Sequence, residues 1–357
     1  MRTTYRPPLG ALKLEPGWSN NLPVDFKTPA PSALTLFTPQ LFKDKKMAMN
    51  NYGLGSRQMK KAGQFALNGS ADRGEIGRTT ASDLAQRFSQ FCSFAKQNGV
   101  NKMEKVDAAL VTKYGQELAA KVEGGQLSAS SAQNLVSAVN SVMYTATKCD
   151  WESVSPTKDC QIQQRCAVRE SSPPSLNREA YGKALDAVRE AHGERAGAMV
   201  EVCRELGLRS KEASLLNATT ALSEAKSTGS VTVADGTKGG QDRTFAISLQ
   251  QLSVLERAAS AQGADRALMP KTENWKSWQE GGLRDIRETV KGVLGEGLHS
   301  LRSGFACEKY MEITGHDAPC AGGSATSSLD KGARLAITEI LGHHRLDVMT
   351  EYVGGRP

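Results

Sequence analysis

At 357 residues the chain is longer than one typical domain, and with 39% hydrophobic, 23% charged and 6% aromatic residues it is composed like a globular protein rather than a disordered or fibrous one. No apolar run reaches the roughly 18 residues that a bilayer requires, and the opening MRTTYRPPLGALKLEPG has no apolar signal core, so a cytoplasmic protein without membrane contact is expected. Seven scattered cysteines without a CxxC pair predict reduced thiols and no metal site, and the net charge of +7 fits a nucleic-acid partner without requiring one.

That excess charge is concentrated at the start: residues 1–75 hold eleven Lys or Arg against five Asp or Glu, which reads as a basic, partly disordered arm able to meet DNA phosphates. Residues 1–40 are proline-punctuated and aperiodic. The stretch 41–71, which contains Lys60 and Lys61 as candidate DNA contacts, fits a short helix or two laid along DNA as well as a solvated tail.

Residues 76–150 switch to helical periodicity. TTASDLAQRFSQFCSFAKQNG opens on Thr, Ser and Asp and stops at Asn-Gly; VDAALVTKYGQELAAKVEGG stops at Gly124-Gly125; SASSAQNLVSAVNSVMYTATKCD opens on serines. A polar, proline-bounded linker follows over 151–175. Helices resume in 176–357 with NREAYGKALDAVREAHG, capped by Asn177, and ERAGAMVEVCRELG, stopped at Gly207. VTVA and RTFAISL flank the Gly-rich DGTKGGQD and predict a β-hairpin. LHSLRSGFACEKYM and ARLAITEILGHH predict further helices. The Gly/Ser/Ala-rich stretch 313–332 between them reads as an inserted loop.

Four pieces of the second half carry reactive side chains: GLRSKEASLL (Arg209, Glu212), TKGGQDRTFAI (Lys238, Arg243), HSLRSGFA (His299, Arg302) and LGHHRLDVMTEY (His343, Tyr352). Taken singly each is ordinary, since Arg-x-x-Glu on a helix is usually a surface ion pair. In this order they resemble the tyrosine recombinases, the phage integrase family: an Arg after Gly-Leu, a hairpin Lys, His-x-x-Arg, then Leu-Gly-His nine residues before a Tyr. The resemblance spans about the last four fifths of the chain. It implies a mainly α fold with a small β-sheet (α+β), namely a helical core-binding domain over 76–150 and a catalytic domain over 176–357. It also implies DNA strand cleavage and religation through a 3′ phosphotyrosyl link, without cofactor, on double-stranded recombination sites by a homotetramer.

The side chains suit those roles. A tyrosine hydroxyl is only about one part in a thousand ionised at neutral pH, so activating it costs roughly 4 kcal/mol. Arg209 and Arg302 are expected to grip the non-bridging phosphate oxygens, His299 to hydrogen-bond the phosphate or shuttle a proton, and His343, with His344 as its competitor, to donate to a phosphate oxygen. Glu212 holds Arg209 in place. Lys238 protonates the departing 5′ oxygen unless it is merely a surface lysine, and Arg243 meets backbone phosphate. Only five residues follow Tyr352, which leaves little for a tail docking into a neighbouring subunit. The Leu-Gly-His to Tyr spacing and the small helical domain favour recombination over a type IB topoisomerase-like enzyme, and the filled core positions disfavour a non-catalytic DNA-binding regulator. The basic first 75 residues lean toward an integrase of a mobile element rather than a chromosome-dimer resolvase, with an accessory bending or excision factor as a further partner.

Overall fold

A computed structural model describes residues 50–343 and 345–355. Of the basic arm expected over residues 1–75 as partly disordered, residues 1–49 lie outside the described residues, as does His344, the rival to His343; within 50–75 the chain forms a helix over Met59–Asp72. Two compact units are present: Met1–Asp107 with Ala138–Ser153, and Ala108–Ser137 with Val154–Pro357.

The predicted periodic segments form helices. In the first unit, α1 (Met59–Asp72) and α2 (Arg78–Gln97) lie close together because Gly63 has no Cβ; one built there would stand 2.6 Å from the Phe88 ring. Phe88, Phe91 and Phe94 occur at spacings that return to one face of α2, and adjacent rings in this row lie 5.8 and 6.2 Å apart. Each such buried side chain contributes about 1.5–3 kcal/mol. Helix α3 (Ala108–Glu123) belongs to the second unit, and α4 (Ala129–Ala146) is divided between the two, its part from Ala138 on belonging to the first.

In the second unit, α5 (Arg178–His192) starts where expected, with the Asn177 side chain accepting the backbone N–H of Ala180, and it stops at Gly193. Next come α6 (Glu194–Glu205), the short α7 (Ser210–Leu215) and α8 (Ala218–Thr228). The hairpin is antiparallel, β1 (Ser230–Val233) against β2 (Arg243–Ala246), with Val231 opposite Phe245 and Val233 opposite Arg243. A two-stranded sheet is marginal alone. This one is held because Val231, Val233 and Phe245 all turn into the core shared with α5, α6, α8, α9 (Leu249–Gln262) and α11 (Gly282–Leu294), the last preceded by α10 (Trp275–Glu280).

A second cluster gathers α12 (His299–Thr314), α13 (Ser327–Leu341) and the one-turn α14 (Thr350–Val353). Here the inserted-loop reading of 313–332 needs correction at both ends: α12 continues to Thr314, and α13 begins at Ser327, its first turn carrying Asp330 where an acid favours the helix dipole. Among the described residues no helix is long and apolar enough to cross a membrane.

Where α6 ends, Gly207 takes φ +65°, and a Cβ there would meet the Phe305 ring of α12 at 2.5 Å and Leu341 of α13 at 2.9 Å. The close approach of three helices thus depends on a missing methyl. Gly207→Ala combines left-handed strain with overpacking and is expected to cost about 2–4 kcal/mol. Chemical denaturation of the DNA-free protein checks this; a loss under 1 kcal/mol would refute the packing argument.

Candidate active site

Arg209 stands immediately before α7. The Glu212 carboxylate reaches back to accept its backbone N–H at 2.8 Å and its Nη1 at 2.6 Å, satisfying a donor that the helix start would otherwise leave open. The same carboxylate is fully buried and accepts both Nη atoms of Arg243, at 3.0 and 2.7 Å, while Arg302 Nη1 lies 3.8 Å away. Burial by itself would raise the Glu212 pKa, but the hydrogen bonds and charge of Arg243, then those of Arg209, outweigh it and hold the acid at about 2.

Arg243 is therefore not the phosphate contact expected from the sequence. In β2 the two-residue period turns it to the same inward face as Phe245. Its side chain is 7% exposed, its Nε donates to the Ile340 carbonyl at 2.8 Å, and its fork is filled by Glu212. It fixes the hairpin against α7 and the end of α13.

Arg302 is buried in α12. Nη1 donates to the Gly207 carbonyl and Nη2 to the Leu341 carbonyl, so one guanidinium closes the C-terminal ends of α6 and α13. Nη2 also lies 3.1 Å from His343 Nε2, and Nε donates to the Tyr352 hydroxyl at 3.3 Å. Burial lowers the Arg302 pKa to about 10, with Tyr352 and Glu212 opposing the fall and Arg209 adding to it.

His343 reaches this point because α13 stops abruptly. Gly342 takes φ +63°, and the His343 N–H turns back to the Thr338 carbonyl at 2.9 Å. Its Nε2 is 3.1 Å from the Tyr352 hydroxyl. Burial, then the positive charges of Arg302, Arg209 and Arg243, push its pKa down to about 3, so the ring is neutral near pH 7. With a guanidinium facing Nε2, that nitrogen is the acceptor and Nδ1 carries the hydrogen, a tautomer assigned from the network. This differs from the expectation that His343 donates to a phosphate oxygen: its lone pair is aimed at the tyrosine.

Tyr352, 2% exposed, lies between two imidazoles, with ring centroids 5.3 Å from His299 and 5.2 Å from His343. His299 stands at the solvent-facing edge. Crowding by protein, then Arg302, Arg209 and Arg169, pulls its pKa below the usual histidine value, and Glu296 opposes them. Lys238, exposed in the hairpin turn, lines a cavity of about 420 Å³ together with Arg209, His299 and Arg302. Lys211, unnoticed in the sequence, lines it too, with its Nζ 5.2 Å from the Trp275 ring centroid. Arg209, Glu212, His299, Arg302, His343 and Tyr352 are thus gathered into one network, with Lys238 at its mouth. Lys60 and Lys61 are exposed on α1 of the first unit, where Lys60 lines a separate cavity with Arg57 and Lys96.

Compared with protein families, residues 164–308 match the model described as integrase. Among solved structures, the chain is similar to a lambda integrase tetramer bound to a Holliday junction, at 16% identity and TM-score 0.53, covering 81% of this chain and 75% of that one. It is also similar to the Tn1549 transposon integrase in complex with transposon right-end DNA, at 12% identity and TM-score 0.52, covering 82% and 95%. No curated protein sequence matches. Residues 164–308 thus resemble the integrase family, and the chain shares the fold of these two DNA-bound integrases. The tyrosine-bearing end of the site, from Lys309 onward, lies past the matched segment.

The buried carboxylate gives a stability test. The folded-state pKa of Glu212, about 2, is below its ordinary 4.5, so its contribution of about 3 kcal/mol is complete above pH 4.5 and is lost as the pH falls through 2. Glu212→Gln should lower stability at pH 7 by about 3 kcal/mol and flatten that acid limb. Denaturant titrations from pH 7 to 2 would show it, and an unchanged limb would deny Glu212 this role.

Proposed function

We propose that this chain is a site-specific DNA recombinase whose nucleophile is Tyr352, and that it serves the integration or excision of a mobile element. The observation that carries the reading is the single hydroxyl of Tyr352 held between a donor, Arg302 Nε, and an acceptor, His343 Nε2. This arrangement suits deprotonation: the proton passes to a neutral imidazole and the phenolate left behind faces a guanidinium. Fixed charge where negative charge develops is the efficient way to lower such a barrier.

In the proposed reaction Tyr352 Oη attacks the scissile phosphorus, forming the Oη–P bond as the P–O5′ bond breaks. Arg209, whose side chain remains 19% exposed at the cavity, takes a non-bridging oxygen, as does Arg302 once the hydroxyl leaves its Nε. Lys238 gives a proton to the departing 5′ oxygen. His299, one helical turn from Arg302, hydrogen-bonds the phosphate. The products are a 3′ phosphotyrosyl ester and a 5′ hydroxyl. Because the ester retains the bond energy, the reverse attack rejoins strands without an external energy source.

The proposal extends to a helical DNA-gripping domain within residues 76–150, a catalytic domain over 176–357 and a homotetramer on paired sites. The lambda integrase tetramer on a Holliday junction and the Tn1549 complex with transposon DNA support it by their fold. Lys60 and Lys61 are proposed phosphate contacts of the first unit, and the site of action is the nucleoid of a cytoplasm.

On nicked duplexes bearing the cognate site, wild type should form a covalent protein–DNA adduct on denaturing gels, and Tyr352→Phe should form none while still shifting DNA in native gels. An adduct persisting in Tyr352→Phe would sink the assignment. Arg209→Ala should slow cleavage by about 10²–10³-fold. Lys238→Ala should slow it as well, but recover when the 5′ leaving oxygen is replaced by sulfur, because a thiol is a far stronger acid than an alcohol and departs as the thiolate without a general acid; failure of the sulfur substrate to rescue would remove the acid role.

A further inference from the structure

Helix α14, which carries the nucleophile, is a single turn, and an isolated turn of helix is not stable by itself. Its two ends are held from outside. Gly354, just past it, has its carbonyl bonded to Arg334 at 2.8 Å. At the other end, the Thr350 carbonyl accepts the backbone N–H of Arg169 at 2.9 Å. Gly354 also packs so tightly on Arg169 that a Cβ there would stand 2.5 Å from the Arg169 carbonyl oxygen. The irregular chain at Arg169 thus lies directly along the tyrosine helix.

The Arg169 side chain leads elsewhere. It is only 15% exposed, and its fork meets Glu296 at 3.0 Å (Nη2 to Oε2) and 3.4 Å (Nη1 to Oε1), with Nη1 also 3.4 Å from the Ser171 carbonyl. Glu296 sits in the turn between α11 and α12, three residues before His299. Through its main chain Arg169 therefore touches the helix of Tyr352, and through its side chain the turn that launches His299 and Arg302. Bidentate Arg–carboxylate pairs fix both distance and plane, which a lysine would not.

We infer that Arg169 is a positioning residue for strand cleavage: its ion pair with Glu296 sets the His299 turn against the tyrosine helix without itself touching DNA. The inference rests on the reading of Tyr352 as the nucleophile. Substituting the side chain leaves the main-chain bond to Thr350 in place, so the effect of the ion pair is separable from that of the segment.

The experiment compares wild type, Arg169→Ala, Glu296→Ala, Arg169→Lys and the reversed pair Arg169→Glu with Glu296→Arg. Single-turnover adduct formation is measured at saturating protein on a nicked duplex, beside native-gel affinity and melting temperature. Both alanine variants should cleave about ten- to a hundredfold more slowly, the scale set by a misplaced reacting group, with affinity within about twofold of wild type and melting temperature little changed. The lysine variant should recover part of the rate and the reversed pair most of it. Wild-type rates in Arg169→Ala, a rate that falls only in step with affinity or melting temperature, or a reversed pair as slow as Arg169→Ala would overturn the inference. Absence of an adduct with wild type, or its presence with Tyr352→Phe, would instead overturn the nucleophile assignment and this inference with it.

Discussion

Three guanidinium groups converge on one carboxylate that has no access to water. Glu212 binds Arg209 and Arg243 directly, and Arg302 stands within 3.8 Å. A buried charge of either sign is tolerable only while its partners remain. Glu212 needs the arginines to stay ionised, and Arg243 needs Glu212 to be buried at all. The hairpin, the start of α7 and the end of α13 are placed by this requirement, since each supplies a group that the others must satisfy. An arrangement of this kind resists small adjustments, which suits the proposed grip of two cations on one phosphate.

Around that anchor the reactive groups already satisfy one another. Arg302 directs Nε to the tyrosine hydroxyl and Nη2 to His343, and His343 accepts from both. The hydroxyl proposed as nucleophile thus rests on the same donors that a phosphate would require. Binding a phosphodiester in this site means an exchange of partners, hydroxyl for phosphate oxygen, rather than occupation of idle donors, and the energy of each new contact is reduced by the one it replaces.

Much of this was legible in the sequence because local rules and the fold agree. Asn177 opens a helix, and Gly193 and Gly207 stop helices, for reasons of backbone geometry that do not depend on distant residues. The nine-residue interval from His343 to Tyr352 survives in space as a 3.1 Å contact. The misreadings came where two local signals conflicted. A basic residue in a predicted DNA-binding hairpin suggests phosphate, yet the alternation Arg-Thr-Phe-Ala had already placed Arg243 on the side of Phe245, and the period was the better guide. In 313–332, Gly, Ser and Ala read as loop, although Ser327 to Asp330 is also a sound helix opening. Arg169 offered no signal, because its partners Thr350 and Glu296 are distant in the chain and only folding brings them near.

Arg302 spans the carbonyls of Gly207 and Leu341, so the side chain proposed to serve the chemistry is also a strut of the core. Natural drift therefore treats the members of the site unequally. A descendant that abandoned recombination and kept only its grip on DNA would be free to lose Tyr352 or Lys238, whereas loss of Arg302 would remove the scaffold along with the activity. In lineages derived from such a protein, an intact buried arginine accompanied by a missing tyrosine would mark a fold retained after its reaction had been given up.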